Sequence, residues 1–166
     1  MPLETRQLDG GFAHEIVGLR LWEPLDAITV DRLRELWARH PVLVIRRQAL
    51  SERELAEFSA LFGPLERVVR TEWASPVVPE VGLISNLKDG QAQPIGGLGD
   101  GELQWHSDQS YMMNPATGAA LYAVELPPEG GLVLLEPELP QPIREVHRRP
   151  PKVWAARSVL RFRLVC

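Results

Sequence analysis

All 13 glycines and all six aspartates of this 166-residue chain precede Leu132. Those two residue types supply most tight turns, glycine through positive φ and aspartate through side-chain-to-backbone hydrogen bonds. A fold built from short strands and turns is therefore specified only by the first 131 residues, and the last 35 have proline as their main punctuation. Charge divides at the same point. Residues 132–166 carry seven basic side chains (Arg144, Arg148, Arg149, Lys152, Arg157, Arg161, Arg163) against three glutamates. With a formal charge of -4 for the whole chain, the first 131 residues are markedly acidic.

Hydrophobic residues make up 45% of the chain and charged residues 24%, which suits one domain with a core and excludes a disordered or fibrous chain. The single cysteine, Cys166, forms no internal disulfide and no cysteine-based zinc site. No run of about 18 apolar residues is present, and Met1 to Arg6 has no apolar leader. A cytoplasmic protein with no membrane partner is expected. The acidic balance gives no general attraction to nucleic acid, and the basic tail has only Trp154 and Phe162 to stack on bases, so no nucleic-acid partner is expected. A homo-oligomer is compatible with the sequence.

Along the chain, Phe12 to Leu19 reads as a strand. A helix follows, capped by Thr29, with Asp31 in its first turn, Val30, Leu33 and Trp37 on its apolar face, and Pro41 as its stop. Val42 to Ile45 reads as a strand covered on both faces. Ser51 and Glu54 form a capping box flanked by Leu50 and Leu55, opening a helix that Gly63-Pro64 ends. Val81 to Asn86, Leu103 to Tyr111 and Ala119 to Leu126 read as further strands. Between Lys88 and Leu103, five glycines indicate a mobile loop. His14 and His40 are read as structural, His40 as a favourable charge at a helix C-terminus.

Chemistry concentrates in Gln104-Trp105-His106-Ser107-Asp108. The two-residue period of a strand puts the imidazole of His106 and the carboxylate of Asp108 on one face, able to meet at one metal ion. A histidine and a carboxylate at that spacing are two of the three donors of a facial triad for ferrous iron. Trp105 and Ser107 point the other way.

The string Gly101 to Tyr111, then Pro115, Gly118, Leu121-Tyr122-Ala123 and Pro127-Pro128-Glu129-Gly130-Gly131, strongly resembles the taurine dioxygenase (TauD/TfdA) family. With the strand, cap and helix between His40 and Leu65, the resemblance spans roughly Phe12 to Gly131. It implies an α+β, mostly β fold: a double-stranded β-helix, or jelly roll, with flanking helices, incomplete at the C-terminus. It implies an iron(II)- and 2-oxoglutarate-dependent dioxygenase that uses dioxygen to hydroxylate a small-molecule substrate, with His106 and Asp108 as iron ligands. The loop from Lys88 to Leu103 would be the substrate lid, and Asn86, Gln104 and Tyr111 would lie close enough to touch substrate.

The family pattern continues after its double glycine with an Asp-Thr pair, then a distal histidine and an arginine that holds 2-oxoglutarate. Here Gly131 is followed by Leu132-Val133-Leu134-Leu135. Only His147 stands where a distal ligand could, with Arg157 ten residues on, but its charged setting before Pro150-Pro151 is unlike a central strand. His147 is not expected to be the third ligand. The expected division is therefore residues 1–131, the N-terminal part of a dioxygenase domain, and 132–166, a basic Pro- and Arg-rich tail read out of the family's frame. Such a chain would be an inactive, truncated form, or a non-catalytic remnant or interaction module of the same fold. Translating the gene in its other two frames beyond codon 131 checks this: an Asp-Thr pair followed by a histidine and an arginine is expected, and their absence from both frames refutes it.

Overall fold

The computed structural model describes residues 3–8, 13–98, 109, 111–125 and, for the backbone alone, 161–165. These fall into two compact units, residues 1–64 and 65–166. The expected division at residue 131 lies outside the described residues.

The first unit is a three-stranded sheet with two helices. Strands β1 (Glu4–Gln7) and β2 (Ala13–Val17) run antiparallel, with Glu4 opposite Val17 and Gln7 opposite His14. Strand β3 (Val42–Val44) lies parallel to β2 on its other side. Parallel neighbours need a crossover, and helix α1 (Ala27–Arg39) provides it. The helix begins three residues earlier than its sequence suggests. Asp26, not Thr29, is the cap: its carboxylate accepts from the Thr29 amide at 2.7 Å, which holds its pKa below the ordinary aspartate value.

Val30, Leu33 and Leu36 form the buried stripe of α1, three residues apart on one face. Leu33 and Leu36 join Ile16 of β2 in the core, with Leu19, Leu25, Leu43, Ile45, Phe58 and Phe62 packed around them. Trp37, expected inside, is half-buried at the edge of this cluster, its ring meeting Phe62 edge-on at 5.4 Å. Strand β3 is half-buried rather than covered on both faces, because it forms the edge of this sheet.

Helix α2 (Glu52–Ala60) starts as its sequence dictates. The Glu54 amide donates to Ser51 Oγ and the Ser51 amide to the Glu54 carboxylate, at 3.2 and 2.7 Å. Leu50 and Leu55, on either side of the cap, are both buried. Loops are tied in as well. The Gln48 side chain accepts from the Leu21 amide and donates to the carbonyls of Leu19 and Arg46. On β2, buried Glu15 faces Arg6 across the β1 pairing and also meets Arg46 at 3.3 Å. The Arg6 hydrogen bond holds its carboxyl below the ordinary glutamate range.

The second unit contains a 3-10 turn (Thr71–Trp73) and an antiparallel sheet of β4 (Val81–Ser85), β5 (Ala120–Glu125) and β6 (Arg161–Val165). The middle strand is β6, paired with β4 and with β5. This middle strand belongs to the basic tail, for which no strand was expected. Among the described residues no helix is long and apolar enough to cross a membrane.

His14 and His40 correct one expectation. Their rings stack at 3.5 Å between centroids, 24° from parallel, and His14 Nδ1 is buried without a hydrogen-bond partner. Burial, then the neighbouring His14 and Arg39, push the His40 pKa below its ordinary value, so it is a neutral packing group at pH 7 and not a helix-end charge. The unfolded chain takes up a proton near pH 6.5 that folded His40 resists. The stability His40 contributes is thus complete above that pH and is lost as pH falls through the lower folded value. The expected result is a melting temperature that drops between pH 7.5 and 5.5, and a smaller drop in His40→Phe, measured by circular dichroism.

Candidate functional site

Strand β4 is the element on which the site region is built. Its odd-numbered carbonyls face one edge, as strand geometry requires, while β6 takes the other. No further strand covers the odd edge among the described residues. Coil segments satisfy it: the Ser75 amide donates to Val81 O at 2.8 Å, Gly97 to Leu83 O at 2.9 Å, and Leu98 to Ser85 O at 3.2 Å. The Ile95 amide adds a bond to Leu87 O at 3.1 Å.

These bonds tie residues 95–98 of the loop expected to be mobile to β4 and to Leu87, while residues 88–94 are exposed. Asp89 organises the turn at its tip. One carboxylate oxygen accepts from the amides of Gln91 and Gln93, and the Asp89 amide donates to Gln93 O, so that Lys88 and Pro94 pair. Glycine here serves close approach, not freedom. A Cβ on Gly96 would stand 2.5 Å from Ser85 N and 2.9 Å from Leu83 O, and one on Gly97 would press on the Trp73 ring at 3.1 Å.

Asn86 follows β4 directly and is half-buried. Ser85 Oγ accepts from the Leu87 amide at 3.0 Å, wrapping the backbone around it. Tyr111 is 76% exposed, on a turn in which the Met112 amide donates to Gln109 O. The strand expected to run through Tyr111 therefore includes neither Gln109, whose φ of 56° is left-handed, nor Tyr111 itself. Gln104, His106, Asp108 and His147 lie outside the described residues. Among the described residues no three His, Cys, Asp or Glu side chains group to hold a metal. The stacked pair His14 and His40 cannot replace them, because lone pairs of near-parallel rings lie in separate planes and do not converge on one ion.

Sequence reasoning passed over Gln109 and Glu66. The Gln109 side chain donates to Glu66 Oε2 at 3.0 Å and accepts from the Ala116 amide at 2.5 Å. Residues 43 positions apart are thereby joined, and only the break of strand period at Asn114-Pro115 hints at it.

The family described as taurine catabolism dioxygenase TauD, TfdA family matches residues 4–135. This chain belongs to that family. It is 38% identical over 110 residues to pentalenolactone F synthase of Streptomyces avermitilis, an alignment covering 62% of this chain and 36% of the synthase. It is 30% identical over 165 residues to an alpha-ketoglutarate-dependent sulfate ester dioxygenase of Pseudomonas putida, covering 95% of this chain and 50% of that enzyme. The crystal structure of AAD-2 with Mn(II) and N-oxalylglycine superposes with a TM-score of 0.55 at 26% identity, covering 79% of this chain and 42% of the other. The chain thus spans between about a third and a half of the length of these relatives.

Gly96 gives a direct check of the anchored loop. Gly96→Ala forces the loop off β4 and is expected to cost about 1–3 kcal/mol, the usual range for overpacking. Gly90→Ala, with nothing within 4 Å of its added carbon, is expected to stay within about 0.5 kcal/mol of the parent. Urea denaturation of both variants measures the difference.

Proposed function

We propose that this chain is the N-terminal part of an iron(II)- and 2-oxoglutarate-dependent dioxygenase that hydroxylates a small-molecule substrate. The observation that carries this reading is the family match over residues 4–135, which includes His106-x-Asp108. Their donor set, an imidazole nitrogen and a carboxylate oxygen, suits a first-row divalent ion with open positions. His106 and Asp108 are proposed to hold that ion. With 2-oxoglutarate and dioxygen it supplies the oxidising power to hydroxylate an unactivated carbon, giving succinate and carbon dioxide.

The rest of the reading concerns the chain's own residues. Residues 95–98 of the glycine-rich loop bond to β4 and to Leu87, and Asn86, Gln104 and Tyr111 are proposed to contact the substrate. Residues 1–131 are taken as dioxygenase sequence within a jelly roll, and 132–166 as a segment of separate origin whose Arg161–Val165 strand serves the sheet. The relatives' names support small molecules as ligands: a sulfate ester as substrate for one, N-oxalylglycine in the solved complex.

Anaerobic titration separates this from a non-catalytic remnant. Adding 2-oxoglutarate to the chain with ferrous iron is expected to raise a weak visible charge-transfer band, which requires bidentate binding to the metal. His106→Ala and Asp108→Ala are each expected to remove it. A parent chain that shows no band at saturating iron is the outcome that favours the remnant.

A further inference from the structure

We propose that the stacked pair His14 and His40 is an acid-sensitive latch that holds the edge strand β3, with the end of α1, on β2. Strand alternation puts His14 on the same face of β2 as Ile16, the face that α1 covers. Leu33 and Leu36 of α1 meet Ile16 in the core, and the helix cap, His40, lays its ring on His14 at 3.5 Å. The two imidazoles thus continue the apolar layer to the end of the helix. The His40 amide donates to Leu36 O at 2.8 Å, and its backbone is extended (φ -128°, ψ 112°), the conformation favoured before a proline. Pro41 follows, and β3 begins at the next residue.

Strand β3 depends on this corner. It is three residues long and half-buried, and β2 is the strand it pairs with, His14 standing opposite Leu43. On the other face of β2, Arg46 meets Glu15 at 3.3 Å. That pair does not respond to mild acid, because the Glu15 carboxyl is held below the ordinary glutamate range. His14 makes the closed corner conditional. Its Nδ1 is buried with no hydrogen-bond partner, a cost that water removes once the rings part.

Charge sets the direction of the response. His14 across the stack and Arg39 beside it act on the His40 ring, and among the described residues no carboxylate does. β3 brings no titratable side chain. Glu15, although next to His14, points to the opposite face of β2, where Arg6 and Arg46 hold it. A proton on His40 in the closed stack is therefore opposed by desolvation and by like charge, while in an open corner it enters water freely. Acid favours the open corner by linkage. One proton per opening sets the scale: from pH 7.5 to 5.5 the opening equilibrium rises by at most about tenfold for an imidazole whose free pKa is about 6.5. Ile16, Leu33 and Leu36 take no part in this opening.

Native-state hydrogen exchange of the whole chain, followed by NMR at pH 7.5 and 5.5 with and without about 1 M urea, tests the latch. Local opening exposes little surface, so its amides respond weakly to urea, whereas global unfolding responds steeply. Corrected for intrinsic rates, protection of the β2-bonded amides of β3 is expected to fall severalfold at pH 5.5, up to the limit of about tenfold, with little response to urea. The amides of Leu33 and Leu36 are expected to respond to urea strongly. His40→Phe keeps an aromatic ring on His14 and removes the titration, so its β3 protection is expected to change by less than about twofold between the two pH values. Urea dependence in β3 equal to that at Leu33 and Leu36 overturns the latch, since the strand then leaves only with the whole unit. So does a parent β3 that has no protection at pH 7.5 or changes by less than about twofold, or a loss that persists undiminished in His40→Phe. Should His40→Phe fail to fold, His40→Gln, neutral at both pH values, takes its place under the same criteria, and the parent's contrast between β3 and α1 decides by itself if neither folds.

Discussion

The odd-numbered edge of β4 is the constraint on which the second unit depends. An open strand edge leaves backbone carbonyls without partners and invites pairing with another chain. Here Val81, Leu83 and Ser85 have their carbonyls taken by Ser75, Gly97 and Leu98, none of which lies in a strand. Coil can follow a strand that closely only where no side chain intervenes. At Gly96 the distance to Ser85 N allows no Cβ at all, so a glycine in a loop acts as a strand would. Val81 and Ser85, almost wholly buried, complete the same arrangement from the side-chain direction.

Much of the first unit was legible in the sequence because its signals are local. A capping box is a four-residue pattern, and Ser51 with Glu54 makes the bonds that pattern requires. The strand, amphipathic helix and second strand expected between Phe12 and Ile45 are present as β2, α1 and β3, while their parallel pairing was not read from the sequence. The misreadings have equally local causes. Asp26, not Thr29, is the cap, because its carboxylate stands where it accepts from the Thr29 amide. Leu36 displaced Trp37 because a three-residue step from Leu33 stays on the face that Ile16 covers.

The second unit was harder to read because long-range bonds decide it. Glycine content alone cannot distinguish a loop free to move from one pressed against a strand; the difference lies in which backbone groups, distant in sequence, need partners. Gln109 shows the same limit. Nothing next to it announces Glu66, and period-two patterning carried the expected strand straight through it to Tyr111. The basic tail offered charge and proline but no strand signal strong enough to place Arg161–Val165 in the middle of a sheet, where pairing on both sides outweighs local preference.

Histidines in this chain divide by geometry rather than by environment alone. His14 and His40 stack, so their nitrogens point along parallel planes, and burial favours the neutral form of His40. His106 is separated from Asp108 by one residue, the spacing that lets two donors share a metal. Two donors bind weakly unless they are already in place, since each side chain that must be ordered on binding subtracts from affinity.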